Sequence, residues 1–325
     1  MKIAVDAMGG DNGSKIVIEA IKNFKELYPN DEIIVFGKKE ELEELSSICR
    51  VEDAPDVVPM EAGALEVIRM KNSSMCKAIN TMKEEGFDAV VSAGSTGGFL
   101  SAATLILKTI PGVKRAALVT AFPTKVKGKK VVILDVGASN DNSPEELVQF
   151  AYMGKAYNQA LYKTEQPKTY LLSNGSEDHK GSPLVKETFK KLKEDNFEGF
   201  VGNMEARDVL SGDADILVAD GFSGNILLKG MEGIAKMMSS MIKANFKKNL
   251  WTKLGYLHVR KGFKNMSDTM DYKSVGGAML VGVNGIVVKA HGNSDTYSFT
   301  SALKVAHQLV ENNTVNKIKE ALSHE

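Results

Sequence analysis

The sequence predicts an α/β protein, one domain of two lobes built on a three-layer, doubly wound and mostly parallel sheet. Three observations predict it. Short β-branched runs alternate with helical patterns, those runs read as buried strands, and several of them empty into glycine-rich loops. At 325 residues the chain can bury a sizeable core.

The elements follow in order. Residues 3–5 form the first strand and lead into Asp6-Ala7-Met8-Gly9-Gly10-Asp11; Ile16, Ala20, Phe24 and Leu27 then share one helical face. A second strand is expected at 33–36. Met75, Ile79 and Met82 mark another helical stripe, followed by a strand at 89–92, the loop Ala93-Gly94-Ser95-Thr96-Gly97-Gly98 and a helix from about Phe99. Strands are expected at 117–121 and 131–134. Ser143-Pro144-Glu145-Glu146 sets an N-cap, a first-turn proline and a capping-box glutamate in register. After a strand at 169–172, the polar stretch 173–182 reads as a loop, and Ser182-Pro183 starts another helix. Strands at 199–201 and 216–219 precede Asp220-Gly221-Phe222-Ser223-Gly224-Asn225. Residues 282–288 read as a strand pair around Asn284-Gly285.

Composition narrows the function. Lys plus Arg equals Asp plus Glu, at 41 each, so no net field announces a nucleic-acid partner. Cys49 and Cys76, both in helix-like stretches, make neither a disulfide framework nor a metal pattern. The opening residues lack the charged-then-apolar pattern of a signal peptide, and nowhere do about 18 apolar residues run together. A cytoplasmic protein that does not span a membrane is expected.

Parallel sheets place ligands at strand ends. In the loop after residue 92, backbone N–H groups, the Ser95 and Thr96 hydroxyls and a helix N-terminus can converge on an anion, phosphate above all; the plainer reading is a tight turn. No G-x-G-x-x-G or G-x-x-x-x-G-K-[ST] pattern occurs, so neither a dinucleotide nor a P-loop nucleotide is indicated. The Asp220–Asn225 loop and Lys229 add amide, hydroxyl and ammonium donors. Asp213, Asp215 and Asp220 suit turn-capping better than a metal. Lys289, His291, Gly292 and Asn293 arrive together at a strand end, where His291 is as readily structural as catalytic. Residues 233–267 hold no acidic residue but eight lysines and arginines, Lys247 and Lys248 among them, interleaved with Leu250, Trp251, Leu254 and Leu257. That composition suits a basic amphipathic helix on a membrane or an acidic partner, and equally a helical dimer interface.

The opening Met1-Lys2-Ile3-Ala4-Val5-Asp6-Ala7-Met8-Gly9-Gly10-Asp11 resembles the signature of the PlsX family, the acyl-acyl carrier protein:phosphate acyltransferases of bacterial phospholipid synthesis. The likeness continues through Ser92–Gly97, Leu134-Asp135-Val136-Gly137-Ala138, Gly202-Asn203-Met204-Glu205-Ala206-Arg207-Asp208, the 220–225 loop and residues 276–293, end to end. Ser95 and Ser139 stand where the family often has asparagine, Gly13-Ser14 replaces Ala-Pro, and Ala116 replaces proline. The resemblance implies an isocitrate/isopropylmalate dehydrogenase-like fold, a homodimer with no cofactor, peripheral membrane association, and conversion of acyl carrier protein thioester and inorganic phosphate to acyl-phosphate. A membrane-bound glycerol-3-phosphate acyltransferase would consume that product. A catalytic or substrate-contacting role carries over to Lys180 through the following Gly181.

Together, loops and resemblance nominate Lys180 and His291 for catalysis. Asp6, Gly9, Gly10, Asp11, Ser95, Thr96, Gly97, Asn203, Asp220, Ser223, Gly224, Asn225, Lys229, Lys289 and Asn293 are nominated for substrate and phosphate. Direct transfer to phosphate is expected, because neither cysteine lies in a glycine-rich loop; Ser95 and Ser223 are the alternatives for a covalent acyl-enzyme. The competing readings are a short-chain acyl-coenzyme A phosphotransacylase and a non-enzymatic peripheral membrane scaffold.

Overall fold

A computed structural model describes residues 1–248, 251–252, 255–256, 258–260, 262 and 276–323. Among these, eleven strands form one sheet: β1 (Lys2–Asp6), β2 (Glu32–Gly37), β3 (Arg50–Asp53), β4 (Ala89–Ser92), β5 (Ala117–Pro123), β6 (Lys130–Leu134), β7 (Thr169–Ser173), β8 (Phe200–Glu205), β9 (Ile216–Val218), β10 (Ala278–Val281) and β11 (Ile286–Lys289). Their order is β3-β2-β1-β4-β11-β10-β5-β6-β9-β7-β8. Pairing is parallel in both wings and antiparallel only at β11–β10, β10–β5 and β5–β6. The strands of the second wing therefore run opposite to those of the first, which gives the fold its two lobes.

The helices are α1 (Gly13–Leu27), α2 (Lys39–Leu42), α3 (Ala64–Arg69), α4 (Ser74–Glu84), α5 (Thr96–Leu107), α6 (Pro144–Tyr162), α7 (Pro183–Glu194), α8 (Gly221–Lys247), α9 (Thr296–Glu311) and α10 (Thr314–Leu322). They cover both faces, so consecutive strand residues enter opposite cores. Ile3 and Val5 belong to one continuous core with Phe24 of α1, Phe150 of α6 and Phe299 of α9. Ala4 and Val90 pack with Met75 and Ile79 of α4 and Phe99 of α5. Burial on both faces is why these strands carry unbroken apolar runs.

Several expectations shift. β3 escapes the sequence reading because Arg50, Glu52 and Asp53 make a polar edge strand, and Arg50 pairs with Glu85 at 2.7 Å. Cys49 lies in the bend before β3, not in a helix, whereas Cys76 is buried in α4. Leu27 is 55% exposed; Val17 and Ile21 complete the buried face of α1 in its place. The C-terminal strand pair exists, but its first strand is β10, and residues 282–285 are the connection. The capping box at Ser143 and the Ser182 N-cap form as read. No described helix is long and apolar enough to cross a membrane.

Candidate active site

The site starts from three strand ends. Asp6, Ser92 and Lys289 close β1, β4 and β11 and stand in register on adjacent strands, so carboxylate, hydroxyl and ammonium form a row across the sheet. Ser92 Oγ donates to Asp6 Oδ2 at 2.7 Å, and Met8 N–H donates to the other carboxylate oxygen at 3.1 Å. Above the row two loops meet backbone to backbone. A Cβ on Gly9 would lie 2.4 Å from Gly94 Cα, so only glycine permits this approach. Gly10 likewise abuts Ala93.

Ser95 caps α5, accepting from Gly98 N–H at 3.3 Å while its hydroxyl donates to Met60 O at 2.9 Å. α5 therefore begins at Thr96, three residues earlier than read, and Thr96 and Gly97 face the cavity at its N-terminal end. The segment after β11 is clamped from the other side. Asp11 N–H donates to Gly292 O at 2.9 Å, and Asn12 Nδ2 donates to Asn293 O and Ser294 O at 3.2 and 2.9 Å.

Lys289 is 6% exposed. Its ammonium donates to Ala93 O at 3.3 Å and to Ala290 O. Burial lowers its pKa from 10.5 to about 8, against the opposing pull of Asp6 and Asp11. Gly277, at φ +99°, brings its backbone so close to Lys289 O that a Cβ would sit 2.3 Å away.

The other wall comes from α8 and β5. Asp220 caps α8, accepting from Ser223 N–H at 2.9 Å, and Gly221 and Gly224 pack directly on residues 135 and 139. The fully buried Asp135 holds that junction: its carboxylate accepts from the N–H groups of Leu118, Gly137, Ala138 and Ser139 and from Ser139 Oγ, five bonds of 2.7–3.0 Å. Asn225, Lys229 and Glu232, spaced i, i+4, i+7, present one face of α8 to the cavity. Glu232 pairs with Lys229 at 2.9 Å, and His291 Nε2 stands 3.8 Å from its other oxygen. Burial would raise the Glu232 carboxyl, but His291 and Lys229 together hold it below its ordinary value.

These walls enclose a cavity of about 520 Å³. Lys289, His291, Lys229 and the N-terminus of α5 form its polar part; Leu118, Phe122, Val136 and Leu228 form an apolar wall. An anion and an acyl chain can therefore lie side by side.

Of the nominated residues, Asp11, Thr96, Gly97, Asn225, Lys229, Lys289, His291 and Asn293 line this cavity. Asp6, Gly9, Gly10, Ser95, Asp220, Ser223 and Gly224 build its supports. Lys180 and Asn203 are elsewhere: the Asn203 amide donates to Glu177 O and Lys180 O in the loop after β7, in the opposite wing. Asp213 and Asp215 are occupied by Ser211, Lys168 and Lys129. Lys247 ends α8, Lys248 is exposed and Trp251 is 82% exposed, while Leu250, Leu254 and Leu257 lie outside the described residues. The sequence reading missed Glu232, Ser294, Asp135 and the β5 wall. Two of them left a signal, Glu232 by its i+3 spacing from Lys229 and Asp135 by its place in the Leu134–Ala138 motif.

Residues 1–317 match the family model described as fatty acid synthesis protein. A phosphate acyltransferase of Exiguobacterium sp. is 41% identical, with 99% of each chain covered. The chain belongs to the phosphate acyltransferase family. As a member it is an enzyme, a transferase of lipid metabolism. Among solved structures, a phosphotransacetylase from Streptococcus pyogenes superposes with a TM-score of 0.62 at 19% identity, covering 97% of this chain and 94% of that one. A putative 4-hydroxythreonine-4-phosphate dehydrogenase from Salmonella typhimurium gives 0.54 at 12%, covering 95% and 99%. At these identities the likeness concerns the fold alone, a two-lobed α/β architecture on a mostly parallel sheet.

Proposed function

We propose that the cavity transfers a long-chain fatty acyl group from an acyl carrier protein thioester to inorganic phosphate, giving acyl-phosphate for glycerol-3-phosphate acylation in phospholipid synthesis. The observation that carries this reading is the buried Lys289 ammonium facing the same space as an apolar wall. The ammonium, Lys229 and the α5 N-terminus hold the phosphate dianion, and the wall from Leu118 to Leu228 takes the start of the acyl chain.

A phosphate oxygen then attacks the thioester carbonyl carbon. The carbonyl electron pair moves onto oxygen, and its return expels the thiolate. Phosphate is already a nucleophile, so positioned donors matter more than a strong base. A thiolate with a pKa of about 8.5 leaves readily. His291, oriented by Glu232, supplies its proton; Lys180 does not line the cavity. Free cysteine chemistry is not used: burial pushes the Cys49 thiol up to about 11, and Cys76 is likewise raised by burial.

We further infer a cytoplasmic, peripherally membrane-associated homodimer. Ile226, Ile234, Met237 and Met241 leave an exposed apolar stripe along α8, which suits a second copy, and the exposed Lys248 and Trp251 beyond it suit an acidic carrier or anionic lipid. Reversing the charge of Lys247 and Lys248 should weaken carrier binding or liposome flotation at low salt, and no change in either would return the segment to a purely structural role.

The reaction is tested by phosphate-dependent consumption of a long-chain acyl carrier protein thioester, with acyl-phosphate trapped by hydroxylamine. Trapping that requires phosphate supports the reading. Turnover only with short-chain coenzyme A thioesters would replace it with a phosphotransacylase, and no turnover of either would refute it.

A further inference from the structure

We propose that Ser294 is a phosphate-binding residue whose hydroxyl donates to a phosphate oxygen; this rests on the cavity being the phosphate site. Ser294 is 2% exposed and lines the cavity. Its Oγ is enclosed and has no hydrogen-bond partner among the described residues. A buried hydroxyl without a partner is costly, and native proteins keep few of them without a use.

The rest of the residue is fully engaged. Its N–H donates to His291 O at 3.0 Å, and its carbonyl accepts from Asn12 Nδ2 at 2.9 Å. Asp295, the next residue, caps α9 by accepting from Ser298 N–H and Oγ at 2.9 and 2.7 Å. The backbone is thus fixed on both sides, and only the hydroxyl is left uncommitted. The other enclosed oxygens without partners, on Asn158, Ser173 and Asn203, do not line this cavity. Ser294 combines the two properties, and the Lys289 ammonium reaches the same cavity with two of its three N–H groups already on carbonyls. A preorganised neutral donor beside a preorganised cation is the arrangement that binds a phosphate dianion at little reorganisation cost.

The test compares Ser294→Ala with the wild type and with Ser173→Ala, which removes an unpartnered hydroxyl away from the cavity. Melting temperature is read with and without inorganic phosphate, and KM for phosphate is read at saturating acyl thioester. Ser294→Ala should leave the melting temperature without phosphate unchanged or raised. It should abolish most of the phosphate-dependent rise and increase KM for phosphate about tenfold or more, as expected for a hydrogen bond to a charged group. Ser173→Ala should not affect phosphate. A KM within about twofold of wild type, or a Ser294→Ala protein that melts lower without phosphate, overturns the proposal, since the hydroxyl would then serve the fold, through water for example. If the wild type shows no response to phosphate, the reading of the cavity fails and the proposal with it. A wild-type response that Ser294→Ala retains refutes the proposal alone.

Discussion

Replacing Lys289 by methionine removes a charge while nearly keeping the volume, and the structure gives the size of the effect. Burial lowers this ammonium from 10.5 to about 8, a difference that costs the charged form about 3 kcal/mol. Phosphate binds the charged form. In the wild type, KM expressed as phosphate dianion should change little below pH 8 and rise about tenfold between pH 7 and pH 9. The methionine variant should have a KM at least tenfold higher at pH 7 and no rise across that window. The stability consequence has the opposite sign. The folded pKa is the lower one, so between about pH 8 and 10.5 the unfolded chain binds more protons, and wild-type stability from this group rises with pH. Relative to the variant, the wild type should gain about 2–3 kcal/mol between pH 7 and pH 10. The loss of donors to Ala93 O and Ala290 O, about 1 kcal/mol each, leaves the variant between equal to and about 1 kcal/mol more stable at pH 7. Urea titrations at both pH values and phosphate kinetics from pH 6.5 to 9.5 measure these quantities. A methionine variant whose KM keeps the wild-type pH dependence, or whose stability tracks the wild type at every pH, would refute the role given to Lys289.

Three more outcomes are expected. Glu232→Gln frees His291 and Lys229 from their shared carboxylate and should lower kcat several-fold, shifting the pH–rate profile without a loss of melting temperature; an unchanged profile would show that Glu232 does not position His291. Gly9→Ala puts a methyl 2.4 Å from Gly94 Cα and should cost about 3 kcal/mol or more in chemical denaturation, with activity falling alongside. Asp135→Asn sets amide hydrogens against groups that already donate to that carboxylate, and a destabilisation of about 3 kcal/mol or more is expected; a loss under about 1 kcal/mol would show that the 135–139 turn holds without it.

The parallel wings were legible in the sequence because burial on both faces forces apolar runs, and the glycine-rich loops marked where those strands end. β3 was not legible: an edge strand needs no apolar face, and its charges hid it. At the site, loop membership found Thr96, Lys289 and His291, since chain neighbours share a strand end. Ser294 left no trace, and the motif that contains Asp135 gave it no role, because their importance lies in what surrounds them, an enclosed unpartnered oxygen in one case and five converging donors in the other. Lys180 shows the converse, for its motif likeness says nothing of the sheet wing on which its loop stands.

The β10–β11 hairpin fills the middle of the sheet, between β4 and β5, although it is made late in the chain. While the ribosome has delivered only the residues before Ala278, β4 and β5 have no strands between them and each presents a bare edge. Those two edges would have to stay three strand spacings apart, about 14 Å from axis to axis, and not pair with each other or with a neighbouring nascent chain. The hairpin also carries Lys289 and leads into the His291–Ser294 turn, so the strands that close the sheet bring the phosphate-facing groups with them. Assembly of the sheet and arrival of the catalytic end of the cavity are thus one event, and a truncated chain lacks both.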